Sequence, residues 1–130
     1  MKGQTKMKNV VPTRKFKGDV KFYINKKHYT KIKSDIKKVT DELLKGNLIG
    51  NRLEGLNLPE GTAVYKVRVA NSSANVGKSD GFRLLYYVAI GGEIYLLTIY
   101  SKKDDDKILN DKQIELLVRN ILTEITSIND

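Results

Sequence analysis

Lys66 and Arg68 stand two residues apart in VYKVRVA (64–70), Arg83 follows in FRLLYYVAI (82–90), and Lys102 and Lys103 close EIYLLTIYSKK (93–103). Successive side chains of an extended strand point to opposite faces. The i, i+2 spacing therefore sets Lys66 and Arg68 side by side, with Tyr65, Val67 and Val69 on the other face. Crowding cations costs repulsion, which is tolerable on a fully solvated face and useful where an anion binds. Arginine clamps phosphate through two parallel N–H donors. A lysine beside other cations loses its proton more readily and becomes a candidate base.

Other chemistries are harder to build. The chain has no cysteine, so disulfides and thiolate metal sites are out of reach. Its one histidine, His28, falls in a basic helix far from the strand cations, which leaves no two-histidine metal site and no Ser/His/Asp triad to build there. Asp104, Asp105 and Asp106 offer oxygen atoms of the kind Mg²⁺ prefers. Three consecutive carboxylates do not converge easily on one ion, and a solvated turn is the expectation.

The cations need a scaffold, and the pattern around them supplies one. Three runs rich in Val, Ile, Leu, Tyr and Phe, at 64–70, 82–90 and 93–103, predict strands. Gly91-Gly92 predicts a two-residue hairpin between the last two. Upstream, Phe16, Val20, Tyr23 and Ile24 recur at helical spacing, with Asn25 as the end of the element. Tyr29, Ile32, Ile36, Val39, Leu43 and Leu44 give a second helix stopped at Gly46. Asn47 to Gly61 reads as loop. A terminal helix, capped by Asn110 or Asp111, carries Ile114, Leu117, Val118, Ile121, Leu122 and Ile125 on one stripe. The order ααβββα predicts an α+β fold, with two N-terminal helices and one C-terminal helix around a small antiparallel β-sheet. The 130 residues make one domain, whose first twelve residues are flexible or form a short edge strand near Asn9–Val11.

Charge is unevenly placed. Residues 1–50 hold 14 Lys/Arg against 4 Asp/Glu, and residues 51–130 hold 10 against 11, which accounts for the net +9. A basic half of this strength suits a polyanionic partner, although a lysine-rich solvated surface gives the same count. The longest apolar run, LLYYVAI (84–90), is far shorter than the roughly 20 residues that span a bilayer. With no apolar leader and no cysteine, the expectation is a soluble cytoplasmic protein without a membrane partner.

Taken in order, NRLEGL (51–56), VYKVRV (64–69), GFRLLYYV (81–88) and IYLLTIYSKKDDD (94–106) resemble the RelE/ParE superfamily of type II toxin–antitoxin toxins. The pattern GKSDGFRLLYYV with IYLLTIYSK is most similar to the HigB-like branch of RelE toxins. The resemblance runs from about Phe16 to Asn120. It implies a ribosome-dependent mRNA endonuclease that acts in the ribosomal A site. There the RNA's own 2′-hydroxyl attacks the adjacent phosphate, leaving a 2′,3′-cyclic phosphate and a 5′-hydroxyl, with no metal or other cofactor. Such chemistry needs a base, positive charge for the transition state and an acid for the leaving oxygen.

Carried over by motif, Lys66 and Arg68 occupy the two basic positions of the YKxK strand. Lys66 is then the better base and Arg68 the charge holder. Arg83 matches the family's GYR arginine, which binds the scissile phosphate. Lys103 falls where the family often has an arginine, a position for charge or acid work, and Lys102 adjoins it. Lys78 resembles the basic loop of HigB-like relatives that reaches the RNA backbone. A tyrosine six residues past the Lys103 position in some relatives is replaced by Leu109, so either Tyr100 or Tyr87 takes a related role or the enzyme manages without it.

The resemblance also implies a cognate antitoxin with a helix-turn-helix domain. Two competing readings remain: a ParE-like inhibitor of DNA gyrase, and a non-catalytic basic nucleic-acid-binding domain. Arg83 pairing with Asp80 or Glu93, and core packing for most tyrosines, are the plainer alternatives at single positions.

Overall fold

The three apolar runs become the centre of a five-stranded sheet. The computed structural model describes residues 9–129, with side chains as far as residue 123. Its elements are β1 (Val10–Pro12), α1 (Arg14–Asn25), α2 (Ile32–Leu44), β2 (Asn51–Arg52), β3 (Ala63–Val69), β4 (Phe82–Val88), β5 (Ile94–Ser101) and α3 (Asp111–Asn129). Strand order is β1-β5-β4-β3-β2. The class is α+β, but the sheet is mixed. β3, β4 and β5 are antiparallel as expected, while β1 runs parallel to β5, with Val10 opposite Ile94. Pro12, which has no N–H to give, closes β1 at the sheet edge. The expected loop 47–61 also contributes β2, where Asn51 faces Lys66 and Arg52 faces Tyr65. Residues 1–8 of the basic N-terminal stretch lie outside the described residues.

Each helix forms for local reasons that the packing then uses. Thr13 accepts from the Phe16 N–H and so caps α1, while its hydroxyl donates to the Leu96 carbonyl at 2.8 Å, tying the cap to β5. Phe16, Val20 and Tyr23 face inward from α1, and Ile32, Ile36, Val39 and Leu43 from α2. Tyr29 is not in the second helix. It lies in the turn before it, where His28 adopts φ +61°, and it stacks on Tyr23 at 5.9 Å. At α3, Asn110 and Gln113 exchange side-chain-to-backbone bonds of 2.8 Å, a capping box.

The sheet is buried on both sides. α1 and α2 cover Val67, Val69, Phe82, Leu84, Tyr86, Ile94, Leu96 and Ile99. α3 brings Ile114, Val118 and Ile121 onto Val64, Leu85, Tyr87, Leu97 and Tyr100. A bulge in β5 reconciles the two faces. Leu85 pairs with Thr98 and the next residue, Tyr86, with Leu96, so β5 carries one residue more than β4 there.

The hairpin is also one residue longer than a two-residue turn. Ala89 N–H reaches the Glu93 carbonyl at 2.9 Å around Ile90, Gly91 and Gly92. Both glycines have φ +95°, a region closed to most side chains. No helix among the described residues is long and apolar enough to cross a membrane.

Candidate nucleic-acid interface

Register decides which cations meet. Arg68 of β3 lies opposite Arg83 of β4, and Arg83 lies opposite Tyr100 of β5. The three form one row across the three central strands, one residue in from the end of each, with directly opposed Cα atoms about 5 Å apart. Lys66 is two residues along β3 on the same face, the one α3 covers. Val64, Leu85, Leu97 and Tyr100 of this face lie in the α3 core, whereas Lys66 and Arg68 stand exposed. Like charges directly opposite destabilise a sheet, so the Arg68–Arg83 pair is a cost to folding that an anion bound between them would offset.

Arg83 does not pair with Asp80 or Glu93. Its guanidinium donates to the carbonyls of Lys78 (3.2 Å), Phe82 (3.2 Å) and Ser79 (3.0 Å). Three of its five N–H donors are thus used, leaving two for a ligand. Asp80 instead lies 3.6 Å from Lys102.

The loop 71–81 is held from below. Buried Asp35 of α2 accepts from the Ser72 N–H at 2.9 Å and from the Ser72 hydroxyl. Ser73 accepts from the Lys31 N–H at 2.9 Å, and Asn71 caps the following turn through the Ala74 N–H. Asp35→Ala removes the acceptor for two part-buried donors and is expected to cost about 2 kcal/mol, read as a lower urea midpoint.

Lys66, Arg68 and Lys78 line one groove of about 630 Å³ along β3 where it runs on past β2, and Asp35 and Glu42 of α2 belong to the same lining. Opposite them stands Lys38 of α2, a residue the sequence pattern hides because it sits among the lysines of an ordinary solvated helix face. Lys102 and Lys103 lie elsewhere. β5 ends at Ser101, and the two lysines border a neighbouring hollow of about 400 Å³ with Asn71 and Asp80. The 71–81 loop contributes to both walls.

Two expectations are corrected by burial. Tyr100 is 4 % exposed and Tyr87 1 %, both in the α3 core, so neither ring can stack on a base. Burial raises the Tyr100 pKa against the opposing pull of Arg83, which keeps the side chain a neutral phenol. Leu109 packs against the same core.

Asp104 is not free acidity beside the cations. Its carboxylate accepts from the Tyr23 hydroxyl at 2.7 Å, and that hydroxyl accepts from the buried Ser101 N–H at 2.8 Å. Asp105 and Asp106 are exposed in a short 3₁₀ turn. Among the described residues no group of three or more His, Cys, Asp or Glu could hold a metal ion.

Tyr23 thus pins the end of β5 and the Lys102-Lys103 turn to α1. Burial, opposed by the Ser101 N–H and reinforced by Asp104, raises its pKa well above the ordinary tyrosine value. A raised folded-state pKa means the stabilisation is complete below the unfolded value of about 10 and is lost as pH climbs through the folded value. Tyr23→Phe is expected to cost about 1–2 kcal/mol at neutral pH. It should also flatten the loss of stability above pH ~10, followed by denaturant titration across pH.

No family model matches this chain, and no curated protein matches it either.

Proposed function

We propose that this chain is a ribosome-dependent endoribonuclease, the toxin of a type II toxin–antitoxin pair, with a RelE-like arrangement of helices on its sheet. The observation that carries the reading is the Arg68–Arg83 pair opposed in register with Lys66 beside it, on a half-open sheet face lined by basic residues. Two arginines that stay charged at any working pH suit a phosphodiester whose negative charge grows in the transition state. As the neutral amine, Lys66 takes the proton of the 2′-hydroxyl and becomes the ammonium while the 2′-oxygen bonds to phosphorus. The bond from phosphorus to the 5′-oxygen breaks, and that oxygen takes a proton from solvent. Lys102, engaged with Asp80, and Lys103, without an ion-pair partner among the described residues, border the neighbouring hollow, where their charge serves the adjoining RNA backbone.

Lys78 and Lys38 extend the basic track along the β3 edge and hold the RNA backbone. Tyr100 acts from beneath as the buried floor of the row. The partners of this reading are mRNA, the ribosome at its A site, and a helix-turn-helix antitoxin, all in the cytoplasm.

The test is induction of the chain in cells and primer extension on a translated message. Cuts within the reading frame that disappear when translation is blocked are the expected result. Growth arrest with intact mRNA would overturn the reading, and a gyrase supercoiling assay would then decide for the ParE-like alternative.

A further inference from the structure

The face of the molecule away from the cation row carries a second groove, of about 690 Å³, between α1, α2 and β1. Its floor is apolar: Phe16, Val20, Ile24, Ile36 and Leu96 line it. Lys17, Lys21 and Lys33 also line it, and all three are exposed. Lys17 and Lys21 are one helical turn apart on α1, and Lys33 stands on α2.

The surrounding charge is not balanced from within. Residues 14–45 carry eleven Lys/Arg against four Asp/Glu. Each of the four acids is engaged elsewhere. Asp19 pairs with Lys15, Asp41 with Lys37 and Glu42 with Lys45, while Asp35 accepts from Ser72. None of the three groove lysines has an ion-pair partner among the described residues.

We propose that this groove docks an acidic amphipathic helix of a partner protein. An apolar channel between two helices accepts one ridge of side chains spaced i, i+3/i+4, i+7, and carboxylates flanking that ridge would meet the three lysines. A flat lipid surface does not enter a concave floor, and a nucleic acid has no apolar ridge to fill it. The inference is independent of the ribonuclease reading, since it uses no residue of the cation row.

The probe is a synthetic fluorescent helical peptide with leucines at i, i+3, i+4 and i+7 flanked by glutamates, titrated with the full chain. A control peptide keeps the leucines and replaces each glutamate by lysine. The glutamate peptide is expected to bind at least about tenfold more tightly than the control, with the preference shrinking at high salt. Lys17→Glu/Lys21→Glu/Lys33→Glu, changed only at exposed positions and checked for its fold by circular dichroism, is expected to reverse that preference. Equal binding of the two peptides by wild type, or no saturable binding of either, would overturn the proposal without reliance on any variant. Binding to phosphatidylglycerol vesicles that is abolished by the triple change, with no peptide preference, would assign the groove to lipid instead.

Discussion

Lys66→Ala is expected to lower the rate of in-frame mRNA cleavage by about 10²–10⁴-fold while leaving stability within about 0.5 kcal/mol of wild type. The two halves of this expectation come from the same geometry. Lys66 is exposed, and its neighbours across the sheet are Asn51 and Leu85, so its loss opens no cavity and strands no buried donor. In the proposed reaction Lys66 is the base, a role that the guanidinium groups of Arg68 and Arg83, which stay charged, do not fill. Arg83→Ala is a less clean probe. It frees the carbonyls of Lys78, Ser79 and Phe82 and so loosens the loop along with the charge. Single-turnover cleavage on programmed ribosomes, beside urea titration of the same samples, separates the two effects. Unchanged cleavage by Lys66→Ala would remove the proposed base.

A single added methyl group at Gly81 is expected to cost a large part of the stability. A Cβ built there would lie 2.1 Å from the Val69 carbonyl oxygen, 2.9 Å from the Asn71 nitrogen and 3.0 Å from the Gly77 carbonyl oxygen. All three are backbone atoms, so no side chain can swing aside. The Gly81 carbonyl also accepts from the Lys102 N–H at 2.9 Å. Gly81→Ala therefore has to part the end of β3 from the start of β4, moving Arg68, Arg83 and Lys102 together. An expected cost of about 3 kcal/mol should appear as a lower denaturant midpoint, with cleavage lost in parallel. A wild-type midpoint would mean the backbone relaxes at little cost.

Much of this was legible from residue order, and the failures have physical causes. Strands β3, β4 and β5 and the three helices follow from apolar periodicity, because each buries a regular face. β2 is two residues long and both are exposed and polar, so it has no alternation to read. β1 shows its parallel partnership only through contacts made more than eighty residues away. The shared face of Lys66 and Arg68 came from simple alternation. Their meeting with Arg83 needed the register, which lies in no single segment. The separation of Lys102 and Lys103 from the other cations follows from where β5 stops. Asp35 and Ser72 left no sign in the sequence, and Tyr23 showed only as part of the α1 apolar stripe, not as the hydroxyl that pins β5. A buried carboxylate among lysines, a loop serine and one tyrosine of seven look ordinary until hydrogen bonds assign them.

The extra residue of β5 acts as a parity switch. Tyr95 and Tyr100 differ by an odd number, and strict alternation would send them to opposite sides of the sheet. Both instead belong to the α3 core, while Ile94, Leu96 and Ile99 belong to the core under α1 and α2. Removing one residue from the bulge would restore even counting and exchange the sides of everything between the bulge and one end of the strand. A shift affecting the Tyr100 end would turn its phenol toward α1 and bring Ile99 up beside the arginines. This stretch of chain can therefore accept changes of letter far more readily than a change of length.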